Sequence, residues 1–321
     1  MRILLVNDSE LPVAAMLSHR HKWLFPLLFL LLPHPAFAGN ADIPPAATYR
    51  TTVSEVRVTF FATDDKNRPV DKIEKDDFAV VDNGMVIRDF RSLMRSDETA
   101  LDVVALVDAS ESVAPRFQTT VNDVLGLVSQ RQSAADDSIS VMSFSGLQAT
   151  LLCSDNCRST GAGQRLLAAK AEGATPLFDA LAYSADFMAQ RRAPGVRPVL
   201  ILLSDGDDTI SKISSRDAVE AVIASGANVY AVDMNRSGNA PHGGIGLQRI
   251  AETTGGRYFP PEAHAAEVLR AAQEDLRASY IVTYHLPSHT VGFHSLRILP
   301  KHNLSLQFHC RSGYYYEPKN P

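Results

Sequence analysis

Between residues 101 and 277 the chain alternates two rhythms. Apolar runs at 101–107, 139–144, 198–204 and 227–232 are too short for helices, and too uniformly apolar to leave one face in water. Stretches near 114–131, 163–171, 177–191, 215–225 and 262–277 carry apolar residues at helical spacing instead. Buried strands separated by amphipathic helices leave few solutions. The crossovers make neighbouring strands parallel, and the helices cover both faces of the sheet. The run "VLILLSDG", residues 199–206, is the clearest central strand, ending in a sharp polar turn. Leu101–Val107 is a second, broken only by Asp102.

On either side of this stretch the period falls to two. Val56, Val58, Phe60 and Ala62 alternate with Arg57, Thr59 and Thr63, the pattern of a half-buried strand. "FAVVDNGMVIRDF" reads as a hairpin turning at Asn83-Gly84. Past Arg277, "SYIVTYHL", "FHSLRIL" and "LSLQFHC" read as three more strands, and the tyrosines at 314–316 as strand packing. In the third, the alternation Leu304, Leu306, Phe308, Cys310 predicts that Cys310 faces inward as a buried thiol. Each small unit alone would expose an apolar face. The economical solution packs both into one antiparallel β-sandwich with the α/β part inserted between them; two separate flanking sheets are the alternative. The helix near 262–277 carries Ala263, Ala266, Val268, Leu269, Ala272 and Leu276 as a core stripe.

The N-terminus predicts export. Basic residues from His19 to Lys22 precede the apolar "WLFPLLFLLL" and small residues at Ala36 and Ala38, which matches a secretory signal peptide cut after Ala38. Asp8 and Glu10 suit such a leader poorly, so Met16 is the expected start. The run is too short to span a membrane, so no integral membrane segment remains after cleavage. The expected division is 1–38 signal peptide, 39–98 first part of the sandwich, 99–277 the α/β domain and 278–321 the strands that complete the sandwich. In an oxidising compartment, periplasmic or extracellular, Cys153 and Cys157 around the turn "SDN" are a disulfide candidate. A net charge of −5 with no basic stripe argues against nucleic acid. Nothing in the sequence sets the oligomeric state.

Chemistry concentrates where strands end. Ligands of open α/β sheets bind beyond the carboxyl ends of the strands. "DASES" sets Asp108, Ser110 and Ser112 at one such end, Asp205 stands at another, and Thr175 opens a helix in "EGATPLFDAL". Singly, each suits a helix cap. Together they are carboxylates and hydroxyls without His or Cys, hard oxygen ligands suited to Mg²⁺, Ca²⁺ or Mn²⁺. Glu111 is expected to point away from the ion, into solvent or the rim, and Asp207 and Asp208 to cap the helix that follows, with tuning of the site or a second cation as the alternative. Asp136 and Asp137 read as turn residues, and His242 in the glycine-rich "PHGGIG" as a loop residue.

D-x-S-x-S with a later Thr and a later Asp after an apolar strand resembles the metal-ion-dependent adhesion site of the von Willebrand factor type A (VWA) domain, over roughly residues 100–276. The flanks, "VTFFATDDKNRPVDKIEKDDFAVVDNGMVIRDF" and "LRASYIVTYHL", resemble the VWFA-related acidobacterial domain family. The resemblance implies a Rossmann-like α/β fold, with a mostly parallel central sheet between helices, inserted in or flanked by a small antiparallel β-sandwich. It also implies Mg²⁺, with Mn²⁺ or Ca²⁺ as alternatives, held by the hydroxyls of Ser110, Ser112 and Thr175 and, partly through water, by Asp108 and Asp205. A partner protein would present an Asp or Glu to that ion, making the chain a cation-dependent, non-enzymatic adhesion protein. Two rival readings are a scaffold with a stabilising or vestigial cation site and, less favoured, a metal-dependent hydrolase. The ten His form no recognisable general-base pattern.

Overall fold

The computed structural model describes residues 55–98, 100–129, 137–155, 157, 161–235 and 242–318. The signal peptide expected over 1–38, the start at Met16 and the turn residue Asp136 lie outside these residues.

The α/β part is built on a six-stranded sheet of β5 (Ala100–Asp108), β6 (Ser138–Ser145), β7 (Gln148–Cys153), β8 (Val196–Ser204), β9 (Asn228–Asp233) and β10 (Tyr258–Phe259). The order is β10-β9-β8-β5-β6-β7, parallel throughout except for β7, which hairpins back on β6 at one edge. All nine residues of β5 are buried. Its alternate side chains serve two cores. Leu101, Val103, Ala105 and Val107 face α1 (Ala114–Ser129) and α6 (Ala265–Arg277), while Val104 and Leu106 face α3 (Leu177–Gln190), α4 (Ser215–Ser225) and α5 (His242–Thr254). Each such Val or Leu side chain contributes about 1.5–3 kcal/mol on burial, which is why the strand tolerates so little polarity. The short α2 (Ala162–Ala168) adds Leu166 to the first core. Cys153 and Cys157 form a disulfide with Cα atoms 5.3 Å apart.

The flanking strands are β1 (Glu55–Thr63), β2 (Phe78–Asp82), β3 (Met85–Ile87) and β4 (Ser92–Arg95) before the α/β part, then β11 (Tyr280–His285), β12 (Gly292–Pro300), β13 (Gln307–His309) and β14 (Gly313–Tyr316) after it. They form two four-stranded sheets, β13-β1-β11-β4 and β14-β12-β2-β3, and each sheet draws strands from both sides of the insertion. Val58, Phe60, Phe78, Val80, Val282, Leu296 and Ile298 close one core between them. The β2–β3 turn has positive φ at Asn83 (48°) and Gly84 (81°), the conformation a two-residue hairpin demands.

Two local expectations change. Leu304 is 79% exposed, because the strand starts only at Gln307 and a turn holds Leu304 outside it; Leu306 is buried, and Phe308 and Cys310 are half-buried against the core. Burial still pushes the Cys310 thiol up to about 12, so it is inert at neutral pH. His242 is not a loop residue but the first residue of α5. Glycines disfavour helix, which hid this element. Gly244 is there because the helix lies against the end of β9: a Cβ at Gly244 would stand 3.0 Å from Asp233 Oδ2. Among the described residues no helix is long and apolar enough to cross a membrane.

Candidate metal-binding site at the carboxyl end of the sheet

Asp108 is the last residue of β5 and is 0% exposed. Its Oδ1 accepts the Ser110 amide at 2.9 Å, folding the chain back in a tight Asx turn. Its Oδ2 accepts the Ser204 hydroxyl at 2.7 Å, from the end of neighbouring β8. Ser110 then caps a single 3₁₀ turn, Glu111–Val113, that leads into α1. This compact reversal brings the Ser110 and Ser112 Oγ atoms within 3.1 Å. Ser110 is buried, and Ser112 stands exposed at the mouth. Glu111 is exposed, as its position between the two serines predicts.

Thr175 arrives from a separate loop. The Glu111 amide donates to Gly173 O at 3.0 Å and the Glu172 amide to Ala109 O at 3.0 Å, which ties that loop to the Asp108–Ser112 turn. Thr175 is buried; its amide donates to Thr209 Oγ1 at 2.8 Å, and the Thr209 amide donates back to Thr175 O at 2.9 Å. Thr209 belongs to the loop that follows β8, as does Asp205. The Asp205 carboxylate accepts the Asp207 amide at 3.2 Å, and its backbone carbonyl accepts Asn235 Nδ2 at 2.9 Å. Reciprocal backbone bonds thus bring all five predicted residues to one end of the sheet.

Asp208 departs from expectation. Its Oδ1 accepts the Phe178 amide at 3.3 Å and the Ser211 hydroxyl at 2.5 Å, so it caps α3, which precedes it, and not α4. Asp137 does more than turn the chain: its carboxylate accepts the Leu101 amide at 2.8 Å and Gln273 Nε2 at 3.1 Å, anchoring the start of β5. Ser204, Thr209, Asp233 and Asn235 were not singled out from sequence. Ser204 had a legible cue, a hydroxyl directly before Asp205 at the end of an apolar strand. Asp233 had the same cue at the end of β9. Its Oδ1 accepts the Asn235 amide at 2.7 Å and its Oδ2 the Tyr258 hydroxyl at 2.7 Å, so both its oxygens are satisfied within the chain.

The electrostatics of Asp108 are different. Burial pushes its carboxyl up to about 6; hydrogen bonds from Ser110 and Ser204 work against that rise, and the nearby Asp205 adds to it. Among the described residues, no Lys or Arg pairs with Asp108 or Asp205. Nor do three His, Cys, Asp or Glu side chains gather into a metal-binding group among them. The donors are two carboxylates and three hydroxyls. This set fits a hard, oxygen-seeking divalent cation, which would supply the positive charge that the two buried acids lack.

With that geometry established, comparison with known proteins places the chain. The von Willebrand factor type A domain model matches residues 102–273, and the chain belongs to that family. A magnesium-chelatase 67 kDa subunit of Chlorobaculum tepidum is 26% identical over 199 residues, covering 55% of this chain and 31% of the relative. The uncharacterised protein Rv2850c of Mycobacterium tuberculosis is 30% identical over 155 residues, covering 46% of this chain and 25% of the relative. The chain therefore spans less than a third of either curated relative. Among solved structures it is similar to an aerotolerance-related membrane protein of Bacteroides fragilis, at 17% identity over 55% of this chain and 98% of that one, with a TM-score of 0.41. It is also similar to the manganese-loaded TRAP protein of Plasmodium vivax, at 15% identity over 64% of this chain and 80% of that one, with a TM-score of 0.42.

Proposed function

We propose that this VWA protein is an exported, non-enzymatic binding protein that takes up a divalent cation, Mg²⁺ in the first place and Mn²⁺ or Ca²⁺ as alternatives, and uses it to hold an Asp or Glu of a partner protein. The observation that carries this reading is the pair of buried acids, Asp108 and Asp205, set near each other among hydroxyls with no Lys or Arg paired to either among the described residues. Ser110, Ser112 and Thr175 supply neutral oxygens, and Ser204 and the Ser110 amide fix the Asp108 carboxylate in place. With only two negative charges in the donor set, a bound divalent ion keeps affinity for a further carboxylate. Exposed Ser112 marks the side from which that carboxylate enters. The Cys153–Cys157 disulfide supports residence in the periplasm or outside the cell.

Calorimetric titration of Mg²⁺, then Mn²⁺ and Ca²⁺, into protein stripped on a chelating resin tests this, with Asp108→Ala as control. Saturable heat that vanishes in the variant is the expected result, followed by retention of the loaded protein on an acidic peptide matrix. Saturable heat without such retention would favour a scaffold with a stabilising cation site, and no heat would remove the cation altogether. The magnesium-chelatase likeness favours one further reading, membership of an enzymatic assembly. Co-purification of the chain with an enzymatic assembly, lost in Asp108→Ala, would point there, whereas an ester hydrolysis by the purified chain lost in the same variant would point to a metal-dependent hydrolase.

A further inference from the structure

The opposite end of the sheet, where the sandwich meets the α/β part, holds a cavity of about 620 Å³. Its walls include Arg57 and Arg311 from the sandwich side and Arg192 and Arg197 from the α/β side, with Asp97 and Glu98 between them. The two acids are already engaged: Asp97 pairs with Arg57 at 2.5 Å and Glu98 with Arg197 at 2.6 Å. That leaves two guanidiniums. Among the described residues no carboxylate pairs with Arg192 or Arg311.

Both line the cavity. Arg192 lies over Gly226, where a Cβ would meet its Nη2 at 3.3 Å, and burial, with the Arg192 charge adding to it, pushes Arg311 below the ordinary arginine range. Arg311 is half-buried, and its Nη2 reaches Arg57 O only at a long 3.4 Å. Arg197 is closed to a ligand: it is 4% exposed, its Nε and Nη1 are bonded to Glu98 and Ser279, and its Nη2 is buried out of reach of the cavity. Two like charges without a counter-ion at one cavity repel, and an anion between them would offset both.

We propose that this cavity binds a small organic dianion, a phosphate monoester or a dicarboxylate, between Arg192 and Arg311. Two unpaired positive charges set the ligand's charge, and the planar guanidinium fork suits both phosphate and carboxylate oxygens. The volume is that of a small-molecule site and far exceeds a bare ion. Because Arg311 belongs to the sandwich and Arg192 to the α/β part, the ligand would also clamp the seam between them.

The test uses the full chain stripped of metal on a chelating resin, so that no anion binds through an ion at Asp108. Thermal unfolding and calorimetry follow titration with glycerol 3-phosphate and, separately, succinate, against sodium chloride at matched ionic strength. A saturable rise in Tm with one or both probes is expected. The response to glycerol 3-phosphate alone would assign the site to phosphate esters, and to succinate alone, to dicarboxylates. Arg192→Gln alters an exposed residue, so the fold survives, and it should weaken binding about tenfold or more. Arg270→Gln, on an exposed turn of α6, should leave binding unchanged. No saturation with either probe would overturn the proposal, as would an undiminished response in Arg192→Gln or an equal loss in Arg270→Gln.

Discussion

The two ends of the six-stranded sheet treat buried acid differently. At the amino-terminal end, Asp102 is held by Arg191, whose Nε and Nη2 each lie 3.2 Å from one carboxylate oxygen. Asp275 is gripped by Arg257 in the same two-pronged way, at 2.9 and 2.8 Å, and also accepts the Tyr230 hydroxyl at 2.8 Å. Burial raises the Asp275 carboxyl, and Arg257 and Tyr230 pull against it. At the carboxyl end Asp108 and Asp205 are just as buried and have only hydroxyls and amides. Asp137 and Asp233 likewise rest both oxygens on neutral donors, as Asp108 does; what marks Asp108 is a carboxyl pushed up by burial, with the charge of Asp205 adding to the rise. A charge pair completed within the chain is architecture. An acid pair without a counter-ion is where we propose that something from outside is held.

The largest test of that contrast removes one acid from each end. Asp275→Ala strands Arg257 in the interior and should cost about 3–5 kcal/mol, read from urea unfolding. Asp108→Asn keeps the shape, with its amide oxygen accepting the Ser110 amide and its NH2 donating to a Ser204 hydroxyl that turns to accept, while deleting a charge with no counter-ion. In metal-stripped protein its stability should lie within about 1 kcal/mol of the parent. A loss as large as that of Asp275→Ala would break the comparison.

Acid pH sharpens it from the amino-terminal side. His309 stacks on Phe61 with ring centroids 4.6 Å apart, and its Nε2 lies 2.9 Å from Thr63 Oγ1. Burial, with help from the Arg257 charge, holds its pKa down to about 4, against 6.5 for the free side chain. The ring is therefore neutral in the fold. Stability is complete above about pH 6.5 and is lost as the pH falls toward 4, by roughly 3 kcal/mol in all. His309→Gln should flatten that limb between pH 6.5 and 4, measured as the shift in urea midpoint. An unchanged limb would mean that other groups carry the acid loss.

How much of this could be read beforehand follows from the range of each interaction. The strands and helices of the α/β part were legible because period and run length are local properties. Asp108, Ser110 and Ser112 were legible for the same reason, since a strand end and a tight turn force them together. Asp102 showed only as a flaw in an apolar run. Its partner Arg191 lies 89 positions away, and no local pattern couples them. Asp275 sits inside an amphipathic helix where one more acid looks like a solvated face; only Arg257 and Tyr230, brought in by the sheet, explain its burial. The α5 helix was missed because of its glycines, of which Gly244 serves close contact with Asp233, a tertiary need that overrides propensity.

The finest test sets two serines against each other. Ser138 donates to Asp102 Oδ1 at 2.5 Å, inside a pair that Arg191 has already completed. Ser138→Ala removes a charge-assisted bond from architecture, so it should cost about 1.5 kcal/mol in urea unfolding and leave Mg²⁺ binding alone. Ser112 is exposed and, among the described residues, its hydroxyl is bonded only to its neighbour Ser110. Ser112→Ala should change metal-stripped stability by less than about 0.5 kcal/mol. It should nevertheless weaken Mg²⁺ about tenfold by calorimetry, because the hydroxyl's worth appears only when an ion is there to use it. The same small change of side chain thus reports stability at one end and affinity at the other. If Ser112→Ala altered stability but not affinity, its hydroxyl would belong to the turn and the open end would lose one of its five proposed ligands.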